Sequence, residues 1–199
     1  MSAPPAPAEI KSRLRAELRA RRRAIVPAER LRAARRLARH YLRLRVLRQA
    51  GSVALYLPMA SEIDTAPLRQ ALAARGVALY VPKVARGGGL RFLRLGKAGL
   101  EWHPHGMPQP RAGKATPLRG IALVLLPLLA YDTQGRRLGQ GGGYYDRALA
   151  RLRGARRPLR IGLAYACQQV EALPGEAHDH PLQGVLSERG LQRFHHPHS

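Results

Sequence analysis

Apolar residues recur every three to four positions in the first quarter of the chain, then switch to short alternating or continuous runs. Ile10, Leu14, Leu18 and Ile25 share one stripe, with arginines filling the other positions, which predicts a helix from Ala8 to about Ile25. Pro27 stands where a second helix can begin, with Ala28 and Glu29 in its first turn. That helix is expected to reach about Leu47, with Leu31, Ala34, Leu37, Ala38, Tyr41 and Leu42 facing inward. Gly51 ends it. Residues 52–57 then read as a buried strand closed by Pro58, and Thr65 to Arg75 as a short helix stopped by Gly76. Residues 77–81 form a second strand, closed by Pro82. Leu90 to Leu95 alternates as a third, for which an antiparallel setting is open. Residues 96–118, rich in Gly, Pro and His, read as one long loop. Ile121 to Leu126 is continuously apolar, as in a strand buried on both faces. A helix from Tyr144 to Arg151 and a strand from Leu159 to Leu163 follow. Strands alternating with helices, after a basic helical start, imply an α/β sandwich with a mainly parallel sheet.

Composition fits a globular domain. The chain has 199 residues, of which 45% are hydrophobic and 24% charged. Residues 9–192 read as a single domain, between a loose tail at 1–8 and a His-rich tail at 193–199. Cys167 is the sole cysteine, so neither an internal disulfide nor a cysteine zinc cluster can form. No export signal or membrane span is evident in the sequence, and a cytoplasmic setting is the expectation. Charge is the outlier, at +23 from 35 Lys+Arg against 12 Asp+Glu. An anionic partner explains it; so does a coding bias that writes Arg for Lys, and the even spread of arginines favours the latter.

The densest chemical signal is Arg137-Leu-Gly-Gln-Gly-Gly-Gly-Tyr-Tyr-Asp-Arg147. Gly139, Gly141, Gly142 and Gly143 permit positive φ and close approach of backbone N–H groups to a ligand. The helix that starts directly after them adds unpaired donors. Together they suggest an anion cradle, with a flexible hinge as the alternative. Gly141 or Gly142 is the candidate for an unusual backbone angle. Arg136, Arg137 and Arg147 are candidate phosphate contacts. Asp146 is a candidate magnesium ligand beside bound phosphates. Neither the P-loop nor the dinucleotide fingerprint fits. No Lys-Ser/Thr follows the glycines, and they lie too far from the preceding strand.

This segment resembles the signature of the 5-formyltetrahydrofolate cyclo-ligase family. Further matches fall in the same order: Lys11-Ser-Arg-Leu-Arg15, Leu57-Pro-Met-Ala-Ser-Glu62-Ile-Asp-Thr65, Pro82-Lys83-Val84, Gly106-Met-Pro-Gln-Pro110, Ile161-Gly-Leu-Ala-Tyr165, and Leu173-Pro with His178-Asp179-His-Pro-Leu182. The resemblance implies a three-layer α/β sandwich. It also implies ATP- and Mg2+-dependent conversion of 5-formyltetrahydrofolate to 5,10-methenyltetrahydrofolate through a phosphorylated formyl group. It assigns ATP contacts to Lys11, Ser12, Arg13, Leu14 and Arg15, and to Arg137, Leu138, Gly139, Gln140, Gly141, Gly142, Gly143, Tyr144 and Tyr145. Folate contacts fall on Leu57, Glu62, Gln140, Gly141, Gly142, Gly143 and Tyr144, catalytic roles on Arg137 and Tyr145, and the metal on Asp146.

Two departures stand out. Gln183 occupies a position where the family usually has an acidic metal-binding residue, so that ligand should be weaker or replaced. Gln109 replaces a frequent glutamate, a change that reads as structural. His103, His105 and Trp102 are candidates for the substrate entrance, and His178 and His180 for the metal's surroundings. His195, His196 and His198 fall in the tail, and Cys167 lacks a nucleophile's partners. The expected partners are 5-formyltetrahydrofolate and MgATP, in a monomer without a specific nucleic acid or membrane. The competing reading is an Arg-rich nucleic-acid-binding protein. It lacks a recognised motif and has only 5% aromatic residues for base stacking.

Overall fold

The computed structural model describes residues 7–96, 98–104, 106–152, 158–174 and 180–194. His105, His178, Asp179 and the C-terminal histidines named above lie outside the described residues. The chain begins with helices α1 (Pro7–Ala24), α2 (Pro27–Arg43) and α3 (Arg45–Arg48). Strand β1 (Ser52–Ala54), helix α4 (Ala66–Ala73) and strands β2 (Ala78–Val84) and β3 (Leu90–Arg94) follow. Next come β4 (Leu100–Trp102), β5 (Pro108–Pro110), β6 (Ala115–Thr116) and β7 (Leu123–Pro127). Strands β8 (Ala130–Tyr131) and β9 (Arg137–Leu138) precede helix α5 (Tyr144–Ala150), and β10 (Leu159–Leu163), β11 (Gly184–Ser187) and β12 (Gly190–Arg193) end the chain.

One sheet organises the molecule, in the order β12-β11-β10-β7-β1-β2-β3-β6. Strands β11, β10, β7, β1 and β2 pair in parallel, and the antiparallel members sit at the two edges. The α/β class and the mainly parallel sheet are therefore as expected. Side chains alternate across β7: Leu123 and Leu125 join a core with Leu37 and Tyr41 of α2 and Leu68 and Leu72 of α4. Val124 and Leu126 join a second core with Leu149 of α5, Val185 and Phe194. Helices thus cover both faces, and β7 must be apolar at every position. A third, smaller cluster joins Leu14 and Leu18 of α1 to Ala130 and Leu138 of the β8–β9 hairpin.

Several boundaries differ from the sequence expectation. The second helix stops at Arg43 because Leu44 is extended; the buried Tyr41 hydroxyl instead donates to the Leu47 carbonyl at 2.9 Å across the break. Strand β2 runs through Pro82 rather than stopping there. Beyond Tyr80 it has β3 as its only sheet neighbour, so the missing N–H costs a ladder bond on at most one side. The 96–118 segment is not one loop: it holds β4, β5, β6 and a 3-10 turn at Leu118–Gly120. These strands are two or three residues long, too short for a periodicity. The two-residue strands of the β8–β9 hairpin escape a sequence reading for the same reason, and β11 and β12, at four residues each, are scarcely longer.

Leu125 is fully buried at the centre of the sheet. Replacing it with alanine should cost about 2–5 kcal/mol. Urea unfolding should show this as a lower midpoint with an unchanged slope.

Candidate active site

A cavity of about 590 Å3 opens at the carboxyl ends of β1, β2 and β7, where open α/β sheets bind ligands. Its walls come from one face of α1, the loop after β1, the β4–β5 hairpin and the glycine loop between β9 and α5, with Pro82 and Val84 of β2, Leu90 of β3 and Pro127 of β7 completing them.

The glycine loop is shaped by two positive-φ residues, Gly141 at 107° and Gly143 at 62°. Gly143 is also the N-cap of α5. Gly142 does not have a positive φ. Its hydrogen is required because a Cβ there would lie 2.9 Å from the Tyr144 ring. Beyond the glycines, Arg137 donates from Nη2 to Asp146 Oδ1. Its Nε is buried without a hydrogen-bond partner, and so is the Tyr145 hydroxyl. Burial raises the Tyr145 pKa, so that hydroxyl keeps its proton. Two buried polar atoms lining a cavity without partners are the kind a ligand satisfies.

Opposite lies the turn Met59–Glu62, closed by a hydrogen bond from Glu62 N to Met59 O at 2.8 Å. Ala60 there has φ 40°, and among the described residues it is the sole non-glycine with a positive φ. Such a conformation costs about 1–2 kcal/mol. Glu62 is 8% exposed; its Oε2 accepts from Met59 N at 3.0 Å. Burial raises its pKa, against the opposing pull of the Met59 N–H, the Arg22 charge and the Gln140 amide. The Gln140 amide reaches Glu62 Oε1 at 3.4 Å, linking the glycine loop to this turn.

Helix α1 ties the two together. Arg15 Nε donates to Gly139 O at 3.1 Å, Arg19 donates to the side chain and backbone of Gln140, and Arg22 Nε donates to Ser61 Oγ at 2.9 Å. Spacings of four and three place these arginines on one face.

Of the predicted site residues, the cavity gathers Arg15, Leu57, Glu62, Arg137, Gly139, Gln140, Gly141, Gly142, Gly143, Tyr144, Tyr145 and Asp146. Lys11, Ser12 and Arg13 are on α1 but do not line it, and Leu14 and Leu138 face the third apolar cluster. Arg136 is turned away to the fully buried Asp132, at 2.6 Å. Arg147 stacks over Tyr144, 5.1 Å from the ring centre, and donates to Gly88 O. Neither of these arginines lines the cavity. Gln183 is also outside it, and its Oε1 accepts from Arg160 N at 2.6 Å. That amide oxygen is engaged by the backbone of β10. Gln109 is structural as expected: it accepts from Val84 N and donates to Glu101, which pairs with Lys83 at 2.8 Å. A glutamate could not make the donation to Glu101. Trp102 and His103 do not line the cavity; Met107, Pro108 and Gln109 of the hairpin do. The sequence reading missed Arg19, Arg22, Arg23 and the residues 59–61. Arg19 and Arg22 lie four and seven positions from Arg15, a helical-phase signal available in the sequence. Among the described residues no three His, Cys, Asp or Glu cluster as a metal site, and no helix is long and apolar enough to cross a membrane.

A mainly parallel sheet with an arginine- and glycine-lined cleft at its carboxyl end makes this an α/β protein of the kind that takes ligands at the strand ends. The particular family follows from comparison with known proteins: the 5-formyltetrahydrofolate cyclo-ligase family pattern matches residues 7–188, and the chain belongs to that family. The 5-formyltetrahydrofolate cyclo-ligase of Haemophilus influenzae is 34% identical over 181 residues, covering 88% of this chain and 96% of that protein. The Escherichia coli K12 protein of the same name is 31% identical over 182 residues, covering 85% and 96%. The Aquifex aeolicus 5,10-methenyltetrahydrofolate synthetase, solved by NMR, superposes with a TM-score of 0.82 at 30% identity, covering 96% of this chain and 95% of its own.

The raised pKa of Glu62 carries a sign. A carboxyl whose folded pKa lies above its unfolded value binds its proton more tightly in the folded state. It therefore favours folding at low pH, and that contribution is lost as pH rises through the folded pKa. Against the Glu62→Gln variant, the parent should lose relative stability as pH rises above the ordinary value of 4.5, then level off once Glu62 is ionised. Urea unfolding across a pH series measures this.

Proposed function

We propose that the chain converts 5-formyltetrahydrofolate and ATP to 5,10-methenyltetrahydrofolate, ADP and phosphate, with Mg2+ as cofactor. The observation that carries the reading is the shared cavity: the glycine loop, with the unpartnered Arg137 Nε and Tyr145 hydroxyl, faces the buried carboxylate of Glu62 across one space. Family membership supports it.

In this reading Glu62 accepts hydrogen bonds from the pterin ring. Leu57 and the turn 59–62 fix the ring's position. The glycine loop, together with Arg15, seats the triphosphate. Lys11, Ser12 and Arg13 remain proposed nucleotide contacts from the same helix, outside the cavity wall. The formyl oxygen is a poor leaving group, so it attacks the γ-phosphorus as the bond to the β-phosphate oxygen breaks, releasing ADP. N10 then attacks the activated formyl carbon, loses its proton, and phosphate departs with the former formyl oxygen. Arg137 supplies fixed positive charge and Tyr145 a fixed proton where negative charge develops. Tyr56 and Pro127 exclude water from one side of the space.

Asp146 fits a magnesium role. It is a single half-exposed carboxylate on the cavity wall, and Mg2+ is commonly held by one or two carboxylates plus substrate phosphates. When bound, the ion neutralises phosphate charge. This chain's own contribution is to release Asp146 from Arg137, which frees the guanidinium for phosphate oxygens.

Mixing the protein with MgATP and 5-formyltetrahydrofolate should generate methenyl-folate absorbance and ADP in equal amounts. Absence of product from folded protein would refute the reading. Asp146→Asn removes the metal's carboxylate and the partner of Arg137 together. Turnover at limiting magnesium should fall roughly a hundredfold or more, while the thermal transition stays cooperative. Normal turnover would remove Asp146 from the metal assignment and leave the nucleotide loop standing.

A further inference from the structure

We propose that Arg22 is a positioning residue: through its hydrogen bond to Ser61 it holds the strained turn Met59–Glu62 in shape and so presents the Glu62 carboxylate to the cavity. Arg22 is 4% exposed although it carries a full charge, and Ser61 beside it is 5% exposed. Among the described residues its guanidinium makes no ion pair with a carboxylate. Its contacts are Ser61 Oγ at 2.9 Å and the Leu128 carbonyl at 3.4 Å. The Leu128 contact comes from the chain just past β7, a strand paired on both sides and buried on both faces. The guanidinium therefore bridges a fixed point of the fold and the second half of the turn.

That turn needs an external hold. At φ 40°, Ala60 occupies the second position of a closed four-residue turn in a region suited to glycine. Left alone, an alanine there would relax to negative φ and carry Ser61 and Glu62 with it. Inside the turn, the Glu62 side chain reaches back to Met59 N at 3.0 Å, so the carboxylate's direction and the turn's shape are one geometry. The Arg22–Ser61 bond is the contact to this turn that comes from outside it and does not use the carboxylate. It leaves Glu62 Oε1 exposed to the cavity side, with only the long 3.4 Å contact from Gln140. The positive charge also favours the ionised form of Glu62 without neutralising it by direct pairing.

The kinetic consequence rests on the folate reading given above; the structural one does not. Ser61→Ala should raise KM for 5-formyltetrahydrofolate roughly tenfold, in line with loss of one hydrogen bond to a charged group, with a much smaller effect on kcat and on KM for MgATP. Arg22→Met should do the same, and the double variant should add little to either single one. The decisive variant is Ala60→Gly in the Ser61→Ala background. Glycine adopts the turn without strain, so folate KM should return most of the way to the parent value. Hydrogen exchange of the ligand-free protein gives a reading independent of folate. The Glu62 amide should exchange faster in Ser61→Ala and regain protection when Ala60→Gly is added. An unchanged folate KM, an equal rise in both KM values, failure of Ala60→Gly to restore, or unchanged exchange at Glu62 would overturn the proposal. A parent protein that makes no methenyl-folate would instead overturn the folate reading, and the exchange experiment would still decide the role of Arg22.

Discussion

Helix α1 is anchored to the rest of the domain by a small apolar patch and by arginines, and the cavity takes its shape from that anchoring. Leu14 and Leu18 give the helix a seat against the β8–β9 hairpin. Arg15, Arg19 and Arg22 then reach from one face to the Gly139 carbonyl, to Gln140 and to Ser61. Neither loop they hold has secondary structure of its own. A glycine-rich loop is entropically expensive to order, and the turn at Ala60 is strained. The side-chain bonds from α1 supply what those backbones lack. Arg30 completes the arrangement by donating to the carbonyls of Arg22, Arg23 and Ile25 at the C-terminal end of the helix.

Burying charge is the second constraint. Glu62 is nearly sealed, yet its carboxylate accepts a backbone N–H and lies near a guanidinium that does not pair with it directly. A direct Arg–Glu pair would satisfy both groups and leave nothing for a ligand. Interposing Ser61 as the acceptor for Arg22 keeps the arginine hydrogen-bonded while one carboxylate oxygen stays available. The Arg137–Asp146 pair across the cavity is direct. One side of the cavity thus presents a carboxylate with an oxygen left over, and the other a carboxylate already paired.

The sequence pattern exposed the large elements because their physics is periodic. The continuous apolar run of β7 reports a strand buried on both faces, and the α2 stripe reports a helix packed on one. It failed for β4, β5, β8 and β9, which pair with each other in local hairpins of two or three residues a side, too few to show a period. In the site, the glycine loop was legible because glycine clusters have few other uses. Arg15 was matched by its motif, but Arg19, Arg22 and Arg23 of α1 were not, and only the helical phase that Arg19 and Arg22 share with Arg15 could have pointed to them. A hydrophobic periodicity counts every arginine as solvent-facing, so a face turned toward a polar cavity is indistinguishable from one turned toward water. Arg136 and Arg147 failed oppositely: proximity in sequence to the glycines suggested phosphate contacts, but Asp132 and Gly88 claim them.

The same distinction resolves what the charge of +23 means for the site. Most of the arginines on α2 are exposed: Arg32 only approaches the likewise exposed Glu29, at 4.0 Å, and Arg35, Arg36, Arg39 and Arg43 have no ion pair among the described residues. Screening at physiological salt confines the reach of each to about 8 Å. The cavity concentrates five arginines, at 15, 19, 22, 23 and 137, against two carboxylates, Glu62 and Asp146. Low-dielectric walls focus the field of that local excess, so its effect on an anionic ligand exceeds that of the more numerous surface charges. Replacing surface arginines with lysine or glutamine would change solubility and non-specific adhesion. The five that line the cavity could not be exchanged so freely, because three of them also hold the loops that form its walls.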